Sequence, residues 1–535
     1  MKFALSLLTL VCLAALIVAQ VPKDPFPVKR VETPDTWKRD GWAAVDRAKA
    51  TKPILPKKGK PKNVILFIGD GMGVSTMTAA RILEGQLRGE SGEENRLSFE
   101  DFPYSALSKT YSTNQQTSDS APTMSAIITG VKTDEGILSV NQNVVHDDYR
   151  TVKGNEAKTL LEYAEEAGLS TGIVSTARLT HATPGACYAH TADRNWESDA
   201  DIKKANPTAY SAGFPDIARQ LIETPYGDGP EVLLSGGRSK FMTFDQTDPE
   251  YSDKHGERLD KRDLIKEWVD KKDDSKYVWN QKDFDKINPK KTKRLMGLFE
   301  PSYMRYSFDR KNDKAGEPSL SEMTARSIDI LSRNKKGYFL MVEGGRIDHG
   351  SHAGNAYRAL TDTIALSDAV RTAASKVDLE NTLIVVTADH SHTLVIQGYP
   401  ARGNDILGLV RQMAADGNLE PGYHKDKLGL PYTTLSYANG KGNQGETDKQ
   451  PAGPKKCCDG YSKVKPNTNG RFDLTNVNTD DPDYLQEAAI PLTGETHGGE
   501  DVAIFATGVN AYLFRGSMEE NWTFYVMADA LGLAR

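Results

Sequence analysis

Short, continuous apolar runs alternate along this chain with stretches of helical periodicity. The first run is Val64-Ile65-Leu66-Phe67-Ile68, and others follow at Thr171–Ser175, Glu231–Leu234, Tyr338–Val342, Leu383–Val386 and Val502–Phe505. Between several of them, Ala157–Ala167 and Glu322–Ser332 repeat apolar residues at helical spacing. Strands apolar on both faces need cover on both sides, so the pattern predicts an α/β fold around a mostly parallel sheet. Two regions break the alternation. Residues 245–315 are dense in Lys and Asp and predict a surface subdomain, and 398–485, rich in Gly, Asn, Pro and Asp, predict a loop-rich insertion. Neither shows a clear strand–helix unit.

The ends differ from the middle. Residues 1–19 begin Met-Lys, continue with an apolar run from Phe3 to Val18 and reach the small residue Ala19. That run falls short of the ~20 residues that cross a bilayer, and its layout fits a secretory signal peptide cleaved after Ala19. Residues 20–62 are rich in Pro and Lys, with a helical island at Trp37–Lys49 after a cap at Asp35 or Thr36, and predict an arm or docking helix. The last residues, Leu531-Gly532-Leu533-Ala534-Arg535, lack the apolar tail of a GPI signal. An exported protein without a membrane anchor is expected.

Composition narrows the class. With 38% hydrophobic and 26% charged residues among 535, the chain is neither disordered, collagenous nor a polytopic membrane protein. A net charge of −6 supplies no bulk positive field for nucleic acid. Of four cysteines, Cys12 leaves with the leader, and Cys187, Cys457 and Cys458 remain. Adjacent Cα atoms sit ~3.8 Å apart, so a Cys457–Cys458 bridge is strained, and pairing with Cys187 or with another chain stays open. Asn521-Trp522-Thr523 is the one plausible glycosylation sequon.

The chemistry follows the apolar runs. Gly69-Asp70-Gly71, Glu343-Gly344-Gly345 and Asp389-His390-Ser391-His392 each come directly after one. Open α/β sheets bind ligands outside the carboxyl ends of their strands, and carboxylates gathered there repel unless a multivalent cation sits among them. Asp348 and His352, four apart, share one helix face and can grip one metal. His497, between small residues, can complete such a site. With oxygen and nitrogen donors and no thiolate, zinc suits the histidine sites and magnesium the all-oxygen one. Ser120, in Asp119-Ser120-Ala121-Pro122-Thr123-Met124, stands at a predicted helix start. On local pattern it is an N-cap, and that position also attracts phosphate.

Together, Phe67-Ile-Gly-Asp70-Gly-Met-Gly, Asp119-Ser120-Ala, Val342-Glu343-Gly-Gly-Arg-Ile-Asp348-His349-Gly, Thr387-Ala-Asp389-His390-Ser-His392 and Glu495-Thr-His497-Gly-Gly-Glu resemble the alkaline phosphatase family, closest to its animal-type branch. The resemblance runs from about Asp35 to near the C-terminus. It implies an α/β/α sandwich with a crown-like insertion at 398–485, a catalytic domain over 63–535, and a homodimer. It implies two zinc ions, one on Asp348, His352 and His497, the other on Asp70, Asp389 and His390 with the Ser120 oxygen nearby. Magnesium is implied on Asp70, Thr183 and Glu343, with His181 and His392 in support. Arg194 is implied as the phosphate-binding arginine, with Asp119 also at the substrate, and Ser120 as the nucleophile that forms a phosphoserine. A calcium site is implied at Glu250, the Phe299 carbonyl, Glu300 and Glu317, with Glu317 standing where the family has Asp. Three divalent ions against four carboxylates leave roughly two positive charges for a phosphate dianion.

The resemblance therefore implies hydrolysis of phosphate monoesters of broad specificity. Two alternatives stand beside it: a phosphodiesterase or sulfatase of the same metalloenzyme type, and a catalytically silent zinc-binding protein. A sulfatase needs Arg where Met124 stands, and a silent protein predicts damaged ligands, of which none is visible.

Overall fold

The structure is a computed structural model that describes residues 22–57, 59, 62–445, 453–456 and 471–534. The expected leader and the cysteines Cys12, Cys457 and Cys458 lie outside the described residues. Cys187 is buried and free.

Eight strands come first: β1 (Lys62–Ile68), β2 (Tyr104–Lys109), β3 (Ser170–Arg178), β4 (Val232–Gly236), β5 (Ser275–Val278), β6 (Arg294–Leu298), β7 (Gly337–Glu343) and β8 (Thr382–Thr387). Five short ones follow, β9 (Ser391–His392), β10 (Leu394–Ile396), β11 (Leu435–Gly440), β12 (Glu487–Pro491) and β13 (His497–Gly498). Then come β14 (Val502–Gly508) and β15 (Ser517–Glu519). Ten of these form one sheet in the order β15-β2-β14-β8-β1-β7-β3-β4-β6-β5. Its pairs are parallel except those of β14, which runs antiparallel to β8 and β2. The mostly parallel α/β architecture expected from the apolar runs is present.

Strand β1 shows why its run is continuous. The helices α1 (Pro34–Ala50), α2 (Val74–Gln86) and α3 (Ser120–Thr129) come first in the chain, and Val64, Leu66 and Ile68 enter one core with Met124 and Ile127 of α3, on one face of the sheet. Ile65 and Phe67 enter the other core, with Leu360 and Leu366 of the helix Ala356–Lys376. Period-two alternation thus loads both faces, each buried side chain contributing about 1.5–3 kcal/mol. Because β8, β1, β7 and β3 are neighbours and parallel, their carboxyl ends open onto one edge.

Two expectations change. The 245–315 stretch does hold a strand–helix arrangement: the helix Leu264–Asp270 leads into β5, and β5 and β6 extend the main sheet at its edge. Strands of four and five residues between Lys- and Asp-dense loops are too short to register as periodic. At the N-terminal arm the helix α1 (Pro34–Ala50) begins one residue after Thr33, and Thr33, not Asp35 or Thr36, caps it. Thr33 Oγ1 accepts from the Thr36 amide and Thr36 Oγ1 from the Thr33 amide, while Pro34 takes the first helical position that needs no donor. None of α1 is buried, and Trp37 and Trp42 are 53% and 68% exposed.

Candidate metal and phosphate site

Four strand ends supply the site. Asp70 follows β1, Glu343 closes β7, and Asp389 and His390 follow β8. After β3 come His181 and Thr183. Asp70, Glu343, Asp389, His390 and Thr183 are all fully buried. Gly71 lets the chain turn here: its φ is +66°, and a Cβ would meet the His392 ring at 2.3 Å.

The ligating atoms fall into three groups, of which the second and third share Asp70. Asp348, His352, His392 and His497 form the first, Asp70, Asp389 and His390 the second, and Asp70, His181 and Glu343 the third. Asp348 and His352 come from one helix, Arg346–His352, as their spacing requires. Ring orientation is fixed from behind. His352 Nδ1 donates to the Glu495 carbonyl at 2.6 Å, His497 Nδ1 to the Ser118 carbonyl at 2.7 Å and His390 Nδ1 to the Ser391 carbonyl at 3.3 Å. With Nδ1 engaged in this way, each ring turns its Nε2 toward the site. The Nε2 atoms of His352 and His497 face each other at 3.0 Å, both beside Asp348 Oδ1 at 3.2 and 3.3 Å. Two ring nitrogens and a carboxylate oxygen at this spacing make a donor set that fits a divalent cation. His390 Nε2 lies 3.4 Å from both Asp70 Oδ1 and Asp389 Oδ2, and Ser120 Oγ lies 3.0 Å from the same nitrogen.

Burial and mutual repulsion strain these groups. It drives the Asp70 carboxyl well above the usual range, with Asp389, Asp348 and Glu343 adding repulsion. Burial raises Asp389 as well and pushes Glu343 up to about 7. His390 is held well below the ordinary histidine value by burial and by His497. For His392 burial opposes the charged ring, yet Glu495 at 2.6 Å and Asp348 at 2.9 Å raise it to about 10, so this histidine is an imidazolium brace. Asp70 Oδ2 and Glu343 Oε1 are buried with no hydrogen-bond partner. Buried hard oxygens of this kind fit a divalent cation.

A sign follows for cation binding. As a ligand Glu343 would have to lose its proton, which burial lets it keep below about 7. With Asp70 of the same group also raised by burial, the affinity of metal-free protein for Mg²⁺ is expected to fall at least about tenfold per pH unit below pH 7. Titration calorimetry at pH 6, 7 and 8 measures this, and a constant affinity would remove Glu343 from the ligand set.

Ser120 is not the cap. Asp119 is: its Oδ1 accepts from the Ala121 amide at 3.0 Å, and Ser120 is the first residue of α3. The serine hydroxyl is thereby spared from capping and reaches His390 and, at 3.4 Å, Asp70 Oδ1. The other Asp119 oxygen holds Arg194 Nη1 at 2.8 Å, and Arg194 Nη2 lies 3.2 Å from His181 Nε2. One carboxylate thus starts the helix and aims the guanidinium.

The structure brings together Asp348, His352 and His497, and Asp70, Asp389 and His390; it adds His392 to the first group, sets His181 with Asp70 and Glu343, and puts Thr183 against Glu343. In the calcium set it brings Glu250 and Glu300 together with Asp313, which had not been named. Glu317 is buried nearby and pushed up to about 8, by burial and then by Glu300 and Asp313. Three supporting residues went unassigned in the sequence. Glu495 holds both His392 and the Thr393 amide, Ser175 hydrogen-bonds Glu343 from the paired position on β3, and Glu135 lies beside Asp119, pushed up to about 7 by burial and that neighbour. Glu495 sits two residues before His497 in a quoted motif, and that proximity was a usable signal. Ser175 and Glu135 carry none.

The alkaline phosphatase family profile matches residues 61–533. The alkaline phosphatase of Gadus morhua is 43% identical over 94% of this chain and 98% of its own. The tissue-nonspecific isozyme of Gallus gallus is 40% identical over 99% of this chain and 93% of its own. Among solved structures, Thermus thermophilus alkaline phosphatase aligns over 90% of this chain and 94% of its own at TM-score 0.60 and 23% identity, a likeness of fold.

Proposed function

The chain belongs to the alkaline phosphatase family, and from that premise we propose that it hydrolyses phosphate monoesters through a phosphoserine at Ser120. We assign one zinc to Asp348, His352 and His497, a second to Asp70, Asp389 and His390 with Ser120 Oγ alongside, and magnesium to Asp70, Thr183 and Glu343. The observation that carries the reading is the set of inward-facing histidine Nε2 atoms among buried carboxylates, with a serine hydroxyl 3.0 Å from one of them. A histidine-and-carboxylate set suits zinc, and the all-oxygen set suits magnesium. Calcium is assigned to Glu250, the Phe299 carbonyl, Glu300 and Glu317.

When bound, the zinc pair supplies the Lewis acidity that lowers hydroxyl and water pKa values and withdraws charge from the leaving oxygen. The chain's own residues do the rest. Ser120 Oγ, its proton given up to solvent, forms the new bond to phosphorus as the ester P–O bond breaks, and the departing oxygen takes up a proton from water to leave as the alcohol. The amino end of α3 lies toward the phosphoryl group, with a positive dipole that favours its charge. Arg194 grips two non-bridging oxygens, its angle set by Asp119 and His181. Water then cleaves the phosphoserine, releasing phosphate. Since only the phosphoryl group is held, the alcohol is weakly specified.

Arg194→Ala tests the clamp. It is expected to lower kcat/KM for p-nitrophenyl phosphate about 10- to 100-fold and to weaken inhibition by inorganic phosphate similarly, with Arg194→Lys recovering little because the bidentate fork is lost. Unchanged phosphate inhibition would take Arg194 out of the substrate site. Faster turnover of bis-p-nitrophenyl phosphate than of the monoester by the wild type would favour a diesterase.

We further assign the chain to the exported class, on the character of residues 1–19, and to a homodimer. No described helix is long and apolar enough to cross a membrane. The exposed tryptophans of α1 support pairing through the arm.

A further inference from the structure

A second group of bare carboxylate oxygens lies away from the catalytic centre. Glu250, Glu300 and Asp313 each bring an oxygen within 4.8 Å of the others. Asp313 sits in the loop between Glu300 and the helix Leu320–Leu331, just past a turn at Arg310–Asn312. The Glu250 side chain is only 6% exposed, and its Oε1 has no hydrogen-bond partner. Both Asp313 oxygens are likewise buried and unpartnered, as is Glu317 Oε2.

The cations present do not fill this shell. Arg238 reaches Glu250 Oε2 at 2.9 Å, but it is already committed to Asp248 through two bonds of 2.6 and 2.8 Å. Arg305 pairs with Glu300 Oε1 at 3.0 Å, and the Tyr251 hydroxyl donates to the same oxygen. Four carboxylates thus face one further guanidinium, and four of their oxygens remain bare. Leaving charged oxygens buried without donors costs far more than leaving neutral ones. All donors are hard oxygens, with no nitrogen or sulfur, and a hard divalent ion of calcium's size suits such a set.

We propose that Asp313 is a direct ligand of the cation at this site, an additional carboxylate beyond the Glu250, Phe299, Glu300 and Glu317 set. This rests on the calcium reading above. The added ligand comes from the loop itself, so ion binding fastens residues 309–317 onto Glu250 and Glu300. The fifth donor raises the site's negative charge and with it the affinity for a divalent ion.

The experiment uses enzyme loaded with zinc and magnesium, stripped of calcium, and titrated with Ca²⁺ alone. Binding is read by displacement of Tb³⁺, whose luminescence is excited through Tyr251 on Glu300. Wild type, Asp313→Asn and Glu300→Gln are compared, with zinc content and circular dichroism confirming the fold of each. The expected result is saturable Ca²⁺ binding by wild type, a dissociation constant about tenfold or more weaker in Asp313→Asn, and loss of binding in Glu300→Gln. Asp313→Asn binding within twofold of wild type, while Glu300→Gln fails, would overturn Asp313 as a ligand and leave the site standing. A wild type that binds no Ca²⁺ would defeat the site and the proposal together.

Discussion

Ser120→Ala is expected to lower kcat/KM for p-nitrophenyl phosphate at alkaline pH by at least about a thousandfold, with zinc and magnesium content unchanged. The structure makes this a chemical test. Ser120 is the first residue of α3, but Asp119 carries the cap, so alanine keeps the helix start intact. The hydroxyl makes no contact that the fold depends on; its neighbours are His390 and Asp70, two of the assigned ligands. Alanine is also a good helix former, so the change in stability should stay within about 0.5 kcal/mol. Turnover by Ser120→Ala equal to wild type would remove the serine from the reaction and leave direct attack by water.

Asp70→Asn gives the second large effect, and its two readouts move in opposite directions. Asp70 belongs to two of the buried ligand groups, those to which we assign the second zinc and magnesium, so its loss should empty both and lower turnover about 10⁴-fold or more. In the metal-free protein, however, the same carboxylate is a burden. Burial and three like-charged neighbours raise its pKa well above the value it has in the unfolded chain. The stability it contributes is full below that unfolded value and is lost as pH rises through the folded one. At pH 8 the metal-free wild type therefore carries this penalty, and Asn removes it. Metal-free Asp70→Asn should melt a few degrees above metal-free wild type, whereas with metals present the order reverses. Elemental analysis and thermal melts under both conditions check it; a variant that retains both ions contradicts the shared ligand.

Sheet and site were legible for one shared reason. Parallel strands buried on both faces leave continuous apolar runs, and the residue that ends such a run sits where ligands bind. Asp70, Glu343 and Asp389 each carry that signature, and Asp348 and His352 carry the helical spacing. What stayed hidden depended on distance in space. Glu495 bracing His392 and Ser175 facing Glu343 are contacts across 103 and 168 positions, which no local pattern reports. The short edge strands β5 and β6 were masked by the polar loops around them. Asp313 was missed because a loop Asp reads as solvated surface until the fold sets it against Glu250 and Glu300. The Asp119 cap shows the reverse case: the helix start was visible, but which of two adjacent residues caps it was settled by backbone geometry.

The most direct test of the account is an acid quench. The enzyme, loaded with zinc and magnesium, is mixed with excess p-nitrophenyl phosphate, quenched at low pH, digested and mapped by mass spectrometry. The account predicts phosphate on the peptide containing Asp119-Ser120-Ala121, localised to Ser120, and none in Ser120→Ala. Full turnover with no phosphopeptide, or phosphate fixed on a different residue, would contradict it.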